Sequence, residues 1–228
     1  MSQKRTKLCD RKLPDYTRGE EIFNMVSHIV GGGFGVIALA TCVIKAFLNR
    51  DAFQIVSAFI YGFSMVILYT MSSVYHGLKP ETAKKVMQVI DHCSVFILIA
   101  GTYTPITLVT LRESKPWLGW TIFGIVWGIS ALGITLNAID LKKYNLFSMI
   151  CYLGLGWCIV LPGKTAISLL PQNAFLLILL GGILYTLGAV LYGIAGRKTV
   201  RYMHSVFHIF VVLGSISQYV AILIYIFA

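Results

Sequence analysis

Runs of about 20 apolar residues recur along the entire chain, and this feature limits the possible folds more than any other. At 1.5 Å per residue, a helical run of this length can cross the roughly 30 Å hydrocarbon layer of a membrane. Only 12% of the residues are charged, whereas a soluble domain usually carries about 25%. The pattern therefore predicts an all-α membrane protein.

We count seven such runs and predict seven transmembrane helices. They cover approximately residues 22–46, 53–74, 86–110, 117–136, 145–161, 175–195 and 204–227, and the fifth is the shortest. A secretory signal peptide would have a shorter apolar core and a small-residue cleavage site, so the first run is predicted to be a retained helix. The predicted organisation is a basic tail over residues 1–21, which we expect in the cytoplasm, followed by a seven-helix domain over residues 22–228.

The distribution of Lys and Arg predicts the orientation of these helices. With the N-terminus in the cytoplasm, 14 of the 19 basic residues lie on the cytoplasmic side: six in the tail, three around 79–85, two at 142–143 and three around 197–201. This bias follows the positive-inside rule and predicts a cytoplasmic N-terminus and an external C-terminus. Orientation thus explains the net charge of +10 better than nucleic-acid binding does, and no nucleic-acid partner is expected.

The few ionisable residues within or beside the runs share one depth. Such residues are costly in a membrane and mark functional sites by default. In the predicted topology all of them fall in the cytoplasmic half, which chance placement over seven helices would not produce. They are Glu20, Glu21, His28, His76, Asp91, His92, His204 and His208.

Three of these histidines predict a zinc site. His204 and His208 are four residues apart, so they share a helical face, and His76 ends the second run at the same depth. Catalytic zinc commonly has three protein ligands and a fourth position that holds water. We therefore predict that His76, His204 and His208 bind Zn²⁺. A histidine pair at a membrane interface that bonds only headgroups, loop carbonyls or water is the alternative.

Asp91 and Ser72 are the predicted catalytic partners of this site. Asp91 is placed to hydrogen-bond the zinc water, as its general base or its orienter, and the adjacent His92 diverges by about 100° and must serve another purpose. Ser72 lies one turn before His76 and could orient the site or meet an oxyanion, although serine often bonds its own helix. Glu21, Asn24 and His28 form one stripe, which we interpret as structural or substrate-facing.

Four segments together resemble the hemolysin III proteins, bacterial relatives of the progestin and adipoQ receptors. They are EEIFNMVSH, SSVYH, DHCSVFILIAGTYTP and HSVFH, in the family's order. The resemblance covers nearly the whole chain and implies seven helices with a cytoplasmic N-terminus. It also implies zinc held by His76, His204 and His208, with Asp91 holding the zinc water.

The resemblance leaves three functional hypotheses open. The adiponectin-receptor branch hydrolyses ceramide-type amides with zinc, which implies a hydrolase of lipid amides or esters at the inner leaflet. The hemolysin name and a link of bacterial members to membrane homeostasis imply a lytic or membrane-stress protein with structural zinc. A haem-binding cytochrome would need histidines on opposite sides of one plane.

These hypotheses share a setting and a partner. We expect a bacterial plasma-membrane protein with membrane lipids as partners and a lipid substrate. A hormone-receptor role is not expected, because the long N-terminal region of the eukaryotic receptors is missing from this sequence. A channel or transporter is disfavoured, because no ionisable residue continues a path into the outer half.

Overall fold

The computed structural model describes residues 5–198 and 200–228, and the side chains of Ala166 and residues 194–198 are outside that description. Lys4 and the side chains of Arg197 and Lys198, which contribute to the predicted charge bias, therefore lie outside the described part. All regular secondary structure in the described residues is helical.

The described residues form eight helices, which we number α1 to α8. Their bounds are Arg18–Asn49, Ala52–Gly77, Glu81–Pro105, Pro116–Asp140, Asn145–Gly156, Lys164–Leu169, Gln172–Lys198 and Met203–Ala221. Six segments of the described chain are long and apolar enough to cross a membrane, and they correspond to every predicted run except the fifth. The predicted all-α membrane class is confirmed.

Local sequence signals determine where the first two helices begin. Thr17 caps α1 in a reciprocal capping box, in which Thr17 and Glu20 each accept from the other's backbone N–H. Asp51 caps α2 by accepting from the backbone N–H of Gln54. Arg50, between these helices, adopts a left-handed conformation with φ 56°. Because this connection is short, α2 runs back along α1 and packs against it.

The fifth apolar run departs from the single helix that was predicted over 145–161. Helix α5 has 12 residues, which corresponds to a length of about 18 Å, and a short 3₁₀ segment at Cys158–Val160 follows it. Tyr103 of α3 stabilises this break, because its hydroxyl donates to the carbonyl of Gly156 and accepts from the N–H of Ile159, both at 3.0 Å. The count of seven spans therefore stays a prediction.

Helix α3 changes its hydrogen-bond pattern directly after Pro105. The next six residues, Ile106–Leu111, form a π-helical segment, which is followed by one short turn at Arg112–Ser114. Proline has no N–H to donate, so an irregularity is expected there, and it takes the form of a π segment.

The first and last long helices pack side by side. Helix α1 packs along α2, α2 along α3 and α7 along α8, while α8 also lies against α1. Glycines bring α1 and α2 close together: a Cβ on Gly62 would lie 2.6 Å from the Cα of Leu39. As a result, the start of α8 meets the start of α1 and the end of α2 at one end of the bundle, which we call the histidine end.

An N-terminal segment, residues 5–17, crosses the histidine end. Hydrogen bonds fasten it to α4, to α3 and to Arg201, which lies just before α8. They run from Thr6 N–H to Asp140 Oδ2 (2.6 Å), from Lys85 Nζ to the carbonyl of Cys9 (3.1 Å) and from Arg201 Nη1 to the carbonyl of Asp15 (2.6 Å). Near the end of the segment, the Tyr16 ring packs against the ring of His204.

Candidate metal centre

The three histidines predicted to bind metal converge in the structure. His76 lies in the last turn of α2, and His204 and His208 lie in the first two turns of α8. One ring nitrogen from each lies within 4.8 Å of the others, and the Nε2 atoms of His204 and His208 are 3.0 Å apart. His76 and His208 are buried, and His204 is partly buried.

A carboxylate on α1 orients His76. Glu21 Oε2 lies 2.7 Å from His76 Nδ1, and Glu21 Oε1 pairs with Lys84 Nζ at 2.8 Å. An ionised carboxylate only accepts hydrogen bonds, so Nδ1 carries the hydrogen and Nε2 has the free lone pair. His76 Nε2 is buried and has no partner among the described residues, and this free lone pair suits a metal ligand. Carboxylate–histidine pairs of this kind support zinc sites.

The backbone of α1 orients His208 in a similar way. His208 Nδ1 lies 3.3 Å from the carbonyl oxygen of Asn24 and 3.4 Å from Ser27 Oγ. Because a carbonyl only accepts, Nδ1 is the donor and Nε2 presents its lone pair towards the cluster. The Asn24 side chain is itself held by Ser205, whose hydroxyl donates to Asn24 Oδ1 at 2.6 Å. Helix α1 thus positions two of the predicted ligands, which belong to other helices.

Aromatic rings enclose His204. Tyr16 stacks on it with ring centroids 5.1 Å apart and an interplanar angle of 17°, and Tyr192 packs at 5.0 Å. Burial raises the pKa of the Tyr16 phenol far above its usual range, with the nearby Tyr192 adding to the effect, so the phenol remains neutral. The N-terminal segment therefore covers the cluster with an uncharged ring.

Asp91 and Ser72 lie beside the cluster, at a cavity of about 390 Å³ that His204 and His208 also line. Ser72 is buried, and its side chain lies against the Asp91 carboxyl group. Among the described residues, Asp91 is not part of the group whose ligand atoms lie within 4.8 Å. His92 lines the same cavity as Asp91, although the helical spacing separates their directions.

The sequence did not predict the specific partners of these histidines. The spacing of Glu21, Asn24 and His28 indicated a shared face, and the structure shows that this face meets the cluster: Glu21 pairs with His76, and His28 stacks on His208 at 3.6 Å. Tyr16 was missed altogether, because a single aromatic residue in a polar tail carries no periodic signal.

Comparison with known proteins agrees with this architecture. A sequence model of the family described as "Haemolysin-III related" matches residues 16–219. The chain belongs to the haemolysin-III family. It is 33% identical to "Hemolysin-3" of Bacillus cereus over 207 residues, which covers 91% of this chain and 92% of that protein.

Two further relatives show how widely the haemolysin-III pattern extends. Identity to the "Hemolysin-3 homolog" of Bacillus subtilis (strain 168) is 35% over 210 residues, or 92% of this chain and 96% of the relative. The "Monocyte to macrophage differentiation factor" of Homo sapiens is 25% identical over 187 residues, or 79% and 74% of the two chains. Family membership and the six apolar helices confirm the predicted multi-pass membrane location.

Proposed function

We propose that this haemolysin-III protein binds one zinc ion through His76, His204 and His208 and hydrolyses a lipid amide or ester at the cytoplasmic leaflet. The observation that carries the proposal is the convergence of three ring nitrogens within 4.8 Å beside a cavity lined by Asp91. The three-histidine set is a known zinc environment that leaves a fourth position for water.

The protonation pattern of the ligands fits zinc. Metal binding needs neutral imidazoles with free lone pairs, and the partners of His76 and His208 leave Nε2 free on both rings. Nitrogens bound to one tetrahedral zinc ion lie roughly 3.3 Å from one another, and the two Nε2 atoms on α8 are 3.0 Å apart. These two donors therefore need little movement to accept the ion.

The position of Asp91 favours a hydrolase over a closed structural site. A structural zinc site usually has four protein ligands, whereas Asp91 lies outside the 4.8 Å group. Zinc in an open site acts as a Lewis acid and lowers the pKa of a water molecule to about 7. Asp91 would accept the proton of the attacking water, and Ser72 would hold the Asp91 carboxyl group in position.

The cavity suits the chain of a lipid. It extends along α8 from His208 to Gln218, ten residues or roughly 15 Å. Its walls between these points include Leu98, Ile99 and Val211. A substrate with its amide or ester at the histidines would bury its hydrocarbon chain among these side chains. Membrane lipids are therefore the proposed partners.

The proposed orientation has the histidine end facing the cytoplasm, on the basis of the charge bias. A reporter at the C-terminus is expected to read as external and a tag at Lys142–Lys143 as cytoplasmic. If both positions were found on one side, the seven-span topology would be wrong.

A lytic or membrane-homeostasis role with structural zinc is the second candidate, favoured by the name of the Bacillus cereus relative, "Hemolysin-3". A haem site is less well supported, because the three nitrogens converge on one point instead of flanking a plane.

One comparison on matched preparations separates the two zinc proposals. Asp91→Asn should retain zinc, with affinity reduced at most by the 10–100-fold typical of outer-sphere changes. Its hydrolysis rate should fall by about 10²–10⁴, because asparagine cannot accept the proton. His208→Ala should lose zinc and activity together. If Asp91→Asn lost zinc as fully as His208→Ala, Asp91 would be a ligand and the structural role would replace the hydrolase.

A further inference from the structure

His28 is a buried histidine whose ring nitrogens are both unused. Its residue is 3% exposed, and neither Nδ1 nor Nε2 has a hydrogen-bond partner among the described residues. A neutral imidazole carries one donor and one acceptor, and buried polar groups of this kind are normally paired. His28 also lines the cavity that contains Asp91, so part of this residue faces the space that a bound molecule would occupy.

The stacking of His28 on His208 prevents it from joining the metal site. The two ring centroids are 3.6 Å apart and the rings are within 12° of parallel. The lone pair of an imidazole nitrogen lies in the plane of its ring. Because the rings of His28 and His208 are stacked and nearly parallel, their lone pairs cannot point at the same metal position. The converging group accordingly contains His76, His204 and His208 without His28.

The neighbouring hydroxyl groups are already bonded elsewhere. The Tyr69 ring meets His28 edge-on at 5.1 Å, but its hydroxyl donates to Ser215 Oγ at 2.7 Å. Tyr185, which also lines the cavity, has its hydroxyl 2.8 Å from the same Ser215 oxygen. The rings of Tyr69 and His208 thus pack against His28, while both of its ring nitrogens stay without a partner among the described residues.

We propose that His28 donates a ring N–H hydrogen bond to the carbonyl oxygen of the lipid amide or ester, next to the metal position. This role rests on the proposed hydrolase function and adds a substrate-positioning residue to it. The His28 ring lies 3.6 Å from the His208 ring. Its N–H can therefore contact the carbonyl oxygen of a substrate whose carbonyl carbon faces the zinc water. The hydrogen bond would strengthen as negative charge develops on that oxygen during attack.

Two substitutions separate hydrogen bonding from packing. His28→Phe keeps an aromatic ring against His208 and removes both nitrogens, whereas His28→Gln restores an N–H donor. Tyr69→Phe is the matched control, because it removes a hydroxyl from the ring that contacts His28 and touches no metal ligand partner. Each is compared with wild type for zinc content, thermal midpoint, and kcat and KM on a short-chain fluorescent ceramide and a matching ester in nanodiscs.

We expect His28→Phe to keep about one zinc per chain and a near-normal midpoint, while kcat falls by about 10²–10³, the loss typical of one oxyanion donor. His28→Gln should recover part of kcat, and Tyr69→Phe should behave like wild type. Full activity in His28→Phe would overturn the proposal. So would loss of zinc to the extent seen in His208→Ala, since His28 would then only support that ligand.

The same variants distinguish this inference from the hydrolase proposal. If the wild type hydrolyses neither probe, the hydrolase proposal fails, and equilibrium binding of the fluorescent ceramide to the zinc-loaded protein tests His28 alone. Weaker binding by His28→Phe than by wild type and Tyr69→Phe would uphold a polar subsite at His28. Equal binding by all three would overturn it.

Discussion

The two ends of the bundle differ in what they bury between their helices. At the histidine end, α1, α2 and α8 enclose titratable and amide side chains, and ring nitrogens there remain without partners. At the opposite end these helices enclose small residues such as Ala46 and Ala58, together with Ile222, which directly follows α8. Near that end, a 2.8 Å contact between Thr41 Oγ1 and Tyr219 Oη joins α1 to α8.

Within one set of helices, the opposite end therefore serves helix packing, whereas the histidine end carries the candidate binding site. Close packing and a few inter-helix hydrogen bonds are enough to hold membrane helices together, as the opposite end illustrates. Buried imidazoles add no packing advantage over aliphatic side chains, and their desolvation is costly. The concentration of histidines at one end therefore indicates a binding site and not a requirement of the fold.

Removing a proposed ligand should produce the largest effect, and that effect should be confined to the histidine end. His76→Ala leaves two imidazoles, so we expect zinc content to fall from about one per chain to near zero. Metal analysis of the purified protein measures this, with His92→Ala as the control, because His92 lines the cavity but lies outside the converging group. Equal zinc in both variants would contradict the ligand assignment.

Removing the charge that orients a ligand should have the next largest effect. Glu21→Gln weakens the acceptor of the His76 hydrogen bond and breaks the pair with Lys84. Zinc affinity should fall by about 10–100-fold without complete loss of the metal. Competition with a chelator gives the affinity, and Glu113→Gln, on the short turn after the π segment, is the charge-matched control. An unchanged affinity would mean that Glu21 serves only to bind Lys84.

Packing changes far from the histidines should alter the stability of the protein without changing its zinc affinity. In Gly62→Ala the new methyl group would meet the backbone of Leu39 at 2.6 Å, and overpacking of this kind costs about 1–3 kcal/mol. Gly33→Ala, whose methyl group would meet nothing within 4 Å, should leave stability unchanged or slightly raised. Thermal unfolding in detergent compares the two. A loss of zinc affinity in Gly62→Ala would show that the two ends are coupled.

Opening the cover over the cluster should give the smallest effect. Tyr16→Ala removes the ring that stacks on His204 but leaves all three ligands and their orienting partners. Zinc content should stay normal, while a chelator should remove the ion several-fold faster. Tyr16→Phe should match wild type, because the stacked ring remains. Identical release rates for Tyr16→Ala and wild type would show that the N-terminal segment does not control access.

Helix positions were predictable from the sequence because a membrane span depends on local properties: a sufficient length of apolar side chains and polar residues at its ends. Six of the seven predicted runs became long helices for this reason. The break after Gly156 was not predictable, because it depends on Tyr103, more than 50 residues away in the chain. The hydropathy of a segment gives no information about a hydrogen bond from a distant residue.

The candidate site divides in the same way. The sequence by itself determined which side chains share a depth and a helical face, because the rise and turn of a helix are constant. Only the tertiary structure decided that Glu21 faces His76, that the Asn24 carbonyl faces His208 and that His28 stacks on His208. These contacts join α1 to residues that are 55 and at least 180 positions away, so they depend on how whole helices pack. Helical periodicity specifies which face a residue occupies, but the neighbouring helix determines what that face meets.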